Sequence, residues 1–539
     1  MKFAVTQMNP TVGDIAGNAA KILGFYERAK KQGAEFVVSP ELSLVGYPPE
    51  DLILMPAFVK EAMAAAQKLA KKTAGGPALV IGAPWQDKDK TYNAALLLDA
   101  GKILHIQYKT VLPNYGVFDE KRWFTPGSGT KIVTWRGQRL GILVCEDMWS
   151  QGFDARLKEQ EATLVIVINA SPFEAGKMAH RRHIAARAAR QAKAPLIYAN
   201  LVGGQDDIVF DGGSFVLDAK GKVIAQLPEF EEDLAVVDGG RWMAGGVAAS
   251  PSTVHRPLPT MESLWAAMKL GLADYVKKNG FKGIMLGLSG GIDSALALAL
   301  AVDALGANNV RGVLLPSPYT SKESIGDAKA SAKLLGVETM TVPITPGMEI
   351  FDEVLSPVFR QSGWMDDVAI GGNVQARLRG ITLMAISNKF GWLLLATSNK
   401  SEIAVGYTTL YGDSCGSYAP LKDLYKTQVY ALANWRNKQG AVIPKRSITR
   451  APTAELAPGQ KDDDQLPPYA LLDKMLALHL EGRLSAEEII AKKYPKTIVE
   501  KVVKMVRLSE YKRRQSCPGV KLSPMLFGRD RRFPLTNKF

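Results

Sequence analysis

Cysteine is almost missing from this chain. Its 539 residues contain three, Cys145, Cys415 and Cys517, too few and too scattered for a disulfide framework or a zinc cluster, and such usage points to a reducing compartment. Long hydrophobic runs are missing as well. Apolar stretches such as Ala162 to Ile168 have the length of a strand, far short of the roughly 20 residues of a membrane span, so no membrane association is expected. The opening residues, Met1-Lys2-Phe3-Ala4-Val5-Thr6-Gln7, carry one charged side chain and then alternate, unlike a signal peptide, and a cytoplasmic location is expected. No internal repeat or low-complexity segment is found. Charge balance is lacking too: 67 Lys and Arg face 53 Asp and Glu, a formal net charge of +14. That excess suits nucleic acid, an anionic surface or small polyanionic substrates, and composition does not choose among them.

What is present is an ordinary globular composition, 47% hydrophobic and 22% charged, in a chain too long for one core, so two or more domains are expected. The most informative stretch is Leu286-Gly287-Leu288-Ser289-Gly290-Gly291-Ile292-Asp293-Ser294-Ala295, an apolar strand end entering a Ser-Gly-Gly-x-Asp-Ser turn, with the helix-like Ala295 to Val302 behind it. Adjacent glycines let backbone approach an anion, and the open N–H groups and dipole of a helix start favour negative charge. Phosphate is the expected guest. The Walker pattern GxxxxGK[ST] is absent: no lysine closes the turn, and two serines and an aspartate fill the hydroxyl and metal-ligand roles. The turn resembles the pyrophosphate loop of ATP pyrophosphatases, which split ATP into AMP and pyrophosphate.

Up to residue 245 the chain reads as short strands divided by turns and a few helices. The expected strands are Phe3–Gln7, Phe36–Ser39, Ala78–Ala83, Asn93–Leu98, Leu140–Val144, Leu164–Ile168, Leu196–Ala199 and Ser214–Leu217. Ala19–Lys31, Pro56–Lys71 and Ala179–Ala192 are expected helices, and hairpin-like turns are expected at 219–222 and 127–129. This pattern predicts a layered α/β sandwich over 1–245. A Gly/Pro-bearing linker is expected at 246–260. From 261 to 539 strands alternate with helices (Val310–Leu315, Ser324–Leu335, Thr339–Val342, Asn373–Lys389, Trp392–Ala396), which predicts a doubly wound parallel sheet, ending in a helical, basic tail.

Three residues at strand ends in the first half form a chemical set: Glu41 in Ser39-Pro40-Glu41-Leu42, Lys109 in Tyr108-Lys109-Thr110, and Cys145 in Val144-Cys145-Glu146-Asp147. A thiol attacks an amide only as thiolate, which a neighbouring ammonium and a carboxylate base supply. The lysine, with the N–H after the cysteine, can then hold the oxyanion of a tetrahedral intermediate. This order of Glu, Lys and Cys resembles the nitrilase, or carbon-nitrogen hydrolase, superfamily. The resemblance implies an αββα sandwich and hydrolysis of a carbon-nitrogen bond through a thioester, with Glu120 a second carboxylate positioning the amide.

The turn alone fits argininosuccinate, asparagine or GMP synthetases, tRNA-modifying enzymes and NAD synthetases. Its company narrows the choice: Gly372-Asn373-Val374-Gln375-Ala376-Arg377-Leu378-Arg379, Leu394-Leu395-Ala396-Thr397-Ser398-Asn399-Lys400-Ser401-Glu402, Tyr411-Gly412-Asp413, Pro420-Leu421-Lys422-Asp423-Leu424-Tyr425-Lys426, Pro452-Thr453-Ala454-Glu455-Leu456 and Leu466-Pro467-Pro468-Tyr469. With the nitrilase-like half in front, this set resembles the glutamine-dependent NAD synthetase family along essentially the whole chain. The resemblance implies that glutamine is hydrolysed in the first half, with Tyr115, Ser171 and Lys177 holding its α-amino and α-carboxylate ends. In the second half it implies that ATP adenylates deamido-NAD and that ammonia displaces AMP to give NAD. Gly287, Leu288, Ser289, Gly290, Gly291, Ile292, Asp293, Ser294 and Thr397 would bind ATP. Asn373, Glu402 and Lys512 would contact deamido-NAD. Charge developing on phosphate calls for a hard cation, so magnesium on Asp293 and Glu402 is expected. Ammonia is nucleophilic only unprotonated, which calls for a shielded passage from Cys145. Cys415 has no local lysine and carboxylate pair and reads as structural. A homo-oligomer is implied. The alternative is a tRNA-modifying or other ATP-pyrophosphatase amidotransferase, but the basic residues lack an RNA-binding motif, and polyanionic small molecules explain the charge without nucleic acid.

Overall fold

The structure, a computed structural model, describes residues 1–150, 152–239, 255–361, 368–457, 459–460, 462 and 465–537. The chain divides into two compact units, Met1–Ser263 and Leu264–Phe539. Of the expected linker, 246–254 lie outside the described residues.

The first unit contains two six-stranded mixed sheets. One has strands β1 (Lys2–Gln7), β2 (Phe36–Val38), β3 (Ala78–Asp87), β4 (Lys90–Asp99) and β5 (Lys102–Tyr108), with β14 (Asp233–Asp238) antiparallel to β1 at its edge. The other is built from β6 (Val133–Trp135), β7 (Gln138–Val144), β8 (Leu164–Asn169), β9 (Leu196–Asn200), β12 (Phe215–Leu217) and β13 (Val223–Gln226). A ribbon of β10 (Val202–Gln205) and β11 (Ile208–Asp211) stands apart. Side chains alternate across a strand, and both faces of these strands are apolar. Phe3, Val5, Phe36, Val38 and Val80 of the first sheet therefore meet Ile142, Val144, Ile166, Ile168 and Ile197 of the second in one inter-sheet core. The intervening residues point outward. Ala4, Val37, Leu79 and Ile81 pack on Ile22, Phe25 and Tyr26 of α1 (Ile15–Lys31) and Ala62, Ala66 and Leu69 of α2 (Pro56–Lys72). Leu143, Val165, Val167 and Leu196 pack on Ile184, Ala185 and Ala188 of helix Lys177–Ala192. The result is the expected αββα sandwich.

The expected turn at 219–222 joins β12 to β13, with Asp218 N–H donating to Lys222 O at 2.9 Å. The one expected at 127–129 is not a hairpin. It lies between β5 and β6, which belong to different sheets, and Gly127 N–H donates back to Lys109 O at 2.8 Å.

The second unit holds a four-stranded parallel sheet: β15 (Ile284–Gly287), β16 (Val310–Leu314), β17 (Glu338–Thr341) and β18 (Leu393–Leu395), in the spatial order β17-β16-β15-β18. Strand β15 leads through the Ser-Gly-Gly turn into helix Ile292–Leu305, while Met285 and Leu394 pack on Leu383 of helix Val368–Phe390. Strand order reverses at β15, whose neighbours are the next strand in sequence on one side and the last on the other. Such a switch point opens a crevice at the carboxyl ends of the strands. Around it, helices from 400 onward share a core of Leu472, Leu476, Val499, Val502 and Val506. Among the described residues no helix is long and apolar enough to cross a membrane.

Candidate active sites

In the first unit the three expected residues follow three strands. Glu41 lies on the segment after β2, which runs against β3: Gly82 N–H donates to Pro40 O, Leu44 N–H donates to Gly82 O, and a Cβ at Gly82 would stand 2.1 Å from Leu42 N. Lys109 extends β5, donating from its backbone to Asn93 O. Cys145 ends β7 in a turn with φ 47° and ψ −96°, leading directly into helix Glu146–Trp149. A non-glycine residue in that conformation is strained, and strain of this kind gathers where a side chain must be presented. Asp147, which the sequence reading passed over, ties the parts together. Its Oδ1 accepts from the N–H groups of Thr110 and Val111, and its Oδ2 accepts from that of Val144.

The electrostatics centre on Lys109, whose buried ammonium donates to Glu41 Oε1 and Glu120 Oε1, each at 2.7 Å. Asn93 Nδ2 also donates to Glu41 Oε1, and Ala170 N–H to Oε2. Tyr47 OH donates to Glu120 Oε1, while Glu120 Oε2 is buried with no hydrogen-bond partner. Burial pushes Glu120 up against the pull of Lys109. Burial would lower Lys109, but Glu120 and Glu41 outweigh it and hold the ammonium well above its ordinary range. The Cys145 thiol is raised by burial and then by the Glu41 carboxylate, so without substrate it keeps its proton. The arrangement provides a buried thiol, a carboxylate fixed by three donors, and an ammonium.

The residues expected to hold glutamine differ in setting. Tyr115 is exposed, and its hydroxyl lies 3.0 Å from a Glu146 carboxylate oxygen. Ser171 is buried; its Oγ accepts from Arg181 Nε, and Arg181, fully buried, also donates to both Asp211 oxygens. Lys177 opens its helix, partly buried, and makes no ion pair among the described residues. Burial and the Arg181 guanidinium lower its ammonium to about 8.

In the second unit a cavity of about 710 Å³ lies at the switch point, lined by every residue from Gly287 to Ser294 and by Thr397, Asn373, Glu402 and Lys512. Every residue expected to bind ATP or deamido-NAD thus borders one space. The turn is internally braced: Ser289 Oγ and Ser294 Oγ are 3.1 Å apart, and Gly291 N–H donates to Ser289 Oγ. Gly290 has φ +83°, and a Cβ there would stand 2.3 Å from Ser324 O. We expect Gly290→Ala to cost about 1–3 kcal/mol through the strained backbone alone and to weaken ATP binding, measured by thermal melting and by titration with ATP.

Glu402 sits in the first turn of helix Lys400–Val405, in a capping box with Asn399. Asn399 Nδ2 also donates to Asp293 Oδ1. Lys426, quoted in the sequence pattern but given no role there, buries its ammonium between Asp293 Oδ2 and Glu402 Oε1. Burial raises Glu402 against the attraction of Lys426, while the two carboxylates hold Lys426 far up despite its burial. Two carboxylates converging on one cation position, 133 and 24 residues in sequence from their shared partner Lys426, suit a hard divalent ion completed by phosphate oxygens. Among the described residues no group of three or more His, Cys, Asp or Glu could hold a metal ion by itself. Lys512 is not a solvated tail: its ammonium donates to Gly406 O at 2.7 Å and Thr408 O at 2.6 Å. Asn373 Oδ1 accepts from Thr409. Cys415 lines the cavity, its thiol raised by burial. Arg379, Arg450 and Glu455 also line it without having been singled out.

A family model for carbon-nitrogen hydrolase matches residues 2–241 and one for NAD synthase matches residues 264–516. A glutamine-dependent NAD(+) synthetase of Synechocystis sp. is 42% identical over 557 residues, covering 100% of this chain and 99% of the relative. One of Thermotoga maritima is 43% identical, with 100% and 99% covered. Among solved structures, the glutamine-dependent NAD+ synthetase from Acinetobacter baumannii in complex with adenosine diphosphate superposes with a TM-score of 0.79 at 41% identity, over 99% of this chain and 98% of that one.

Proposed function

The chain belongs to the glutamine-dependent NAD(+) synthetases, ligases that form a carbon-nitrogen bond, and from that premise we propose how its residues carry the reaction. The observation that carries the proposal is the presence, in one chain, of a buried Glu41–Lys109–Glu120 network beside a strained Cys145 and of a glycine turn at the switch point of a parallel sheet.

Glutamine enters the first site with its carboxylate toward Lys177 and Ser171 and its side-chain amide toward Cys145. Glu41 takes the thiol proton as sulfur attacks the amide carbon. Lys109 and the N–H of Glu146 hold the oxyanion, and the proton passes to the departing nitrogen. The C–N bond breaks to release ammonia, and water then cleaves the thioester to give glutamate. Because the Lys177 ammonium is lost above about 8, KM for glutamine should climb as pH rises through that value, with kcat changing less. Lys177→Arg, charged throughout, should remove the rise, and an unchanged pH profile would remove Lys177 from carboxylate binding.

At the second site the deamido-NAD carboxylate attacks the α-phosphorus of ATP. The bond to the β-phosphate breaks, and pyrophosphate departs into the turn from Ser289 to Ser294. Ammonia then attacks the carboxyl carbon of the adenylate, and AMP leaves. Thr397 faces the adenosine; Asn373, Glu402 and Lys512 face deamido-NAD. Asp293 and Glu402 would hold magnesium, which would neutralise charge on the phosphates. The same reading makes the protein a cytoplasmic homo-oligomer, which sedimentation and fractionation test. Incubation with deamido-NAD, ATP, magnesium and ammonium chloride should yield NAD and AMP in equal amounts; absence of both would overturn the second site.

A further inference from the structure

A turn that binds pyrophosphate but carries no lysine must draw its cations from elsewhere. Among the described residues lining the cavity the cations are Arg379, Lys426, Arg450 and Lys512. Lys426 reaches the turn through Asp293. Lys512 donates to two carbonyls of the segment after Glu402, and Arg379 donates from Nε to Leu315 O. Arg450 comes to the turn beside Gly290. The short helix Lys445–Thr449 just before it is tied to the turn, since Ser447 Oγ donates to Gly290 O at 3.0 Å. Its guanidinium donates through Nη1 to the hydroxyl of Ser324, the residue whose backbone packs against Gly290.

We propose that Arg450 is a pyrophosphate-binding residue of the ligase site, gripping the leaving group beside Gly290 of the turn, and that Glu455 is a resident anion competing for it. The inference rests on the reading of Ser289 to Ser294 as the pyrophosphate loop. Arg450 uses two of the five N–H donors of a guanidinium, one to Ser324 and one from Nη2 to Glu455 Oε1 at 2.6 Å. Planar donors of this kind match phosphate oxygens in pairs, a geometry that an ammonium lacks. Glu455 can release it without being stranded, because the same Oε1 also accepts from Ser321 Oγ and Ser324 Oγ, each at 2.9 Å. Glu455 is held at φ 47°, a conformation unfavourable for a non-glycine residue, in the loop that lines the cavity. With Arg450 neutralised before substrate arrives, the cation is stored next to the place where charge appears as the α–β phosphate bond breaks.

The test is calorimetric binding of magnesium pyrophosphate to the full-length protein and to Arg450→Met, Arg450→Lys and Glu455→Gln. Arg450→Met should weaken binding about tenfold or more, the worth of a lost charge-assisted hydrogen bond. Arg450→Lys should restore part of it, and Glu455→Gln, which removes the competing charge and keeps an acceptor for Arg450, should tighten it severalfold. Pyrophosphate as product inhibitor of ammonia-driven NAD synthesis should follow the same order. Arg450→Met binding as the parent does would overturn the assignment, and so would loss of affinity in Glu455→Gln, which would make the pair a structural clamp. Failure of the parent protein itself to bind pyrophosphate would instead overturn the reading of the loop.

Discussion

Cys145→Ala abolishes NAD formation from glutamine, by about ten-thousand-fold or more as for other enzymes deprived of their nucleophile, while NAD formation from ammonium salts continues. The Cys145 thiol is the nucleophile proposed to form the acyl intermediate beside the Glu41 and Lys109 pair, and burial followed by the Glu41 charge raises it above the ordinary thiol range. The side chain is small and buried, so its loss should cost about 1 kcal/mol of packing and leave the sandwich folded. The second site belongs to a separate compact unit, and the described residues that line its cavity all fall within that unit. Paired assays with glutamine and with ammonium chloride measure the split. Equal loss of both activities in a folded variant would contradict the separation of the two chemistries.

The second large effect is expected at Lys426. Its ammonium is the shared partner of Asp293 and Glu402, and Lys426→Met leaves two largely buried carboxylates facing each other. Breaking a buried ion pair costs about 3–5 kcal/mol, and Glu402, already raised by burial, should answer by taking up a proton. A divalent cation can satisfy the same carboxylates, so the melting temperature should fall most in chelator, and magnesium with ATP should narrow the gap. Ammonia-driven synthesis should fall about a hundred- to a thousand-fold, because the turn loses a cation where phosphate charge develops. Labelling of Cys145 by a thiol-directed electrophile should persist, showing the first unit intact. A variant equally stable with and without magnesium would mean that the carboxylates do not form a cation site.

Much of this was legible in the sequence because it is local. The eight expected strands of the first half became β1, β2, β3, β4, β7, β8, β9 and β12, each a run of buried residues with an apolar signal of its own. Strands β5, β6, β10, β11, β13 and β14 escaped: β5, Lys-Ile-Leu-His-Ile-Gln-Tyr, mixes polar and apolar residues, and β14 is a strand by virtue of pairing with β1 across most of the unit. The proposed catalytic set and the glycine turn stood out because each occupies a strand end with a recognisable neighbourhood. Lys426 and Asp147 did not, although both lay within quoted stretches. Lys426 meets Asp293 across 133 residues, and Asp147 serves backbone N–H groups up to 37 residues away. Arg450 and Glu455 were hidden similarly, since their value lies in facing Ser324 and, through it, Gly290.

The measurement closest to the centre of this account is the fate of isotope from glutamine labelled with nitrogen-15 in its side-chain amide, supplied with deamido-NAD, ATP and magnesium. One labelled NAD is expected for each glutamate, AMP and pyrophosphate formed, with the label in the nicotinamide amide. Glutamate released without labelled NAD, or ATP cleaved to ADP and phosphate, would contradict it.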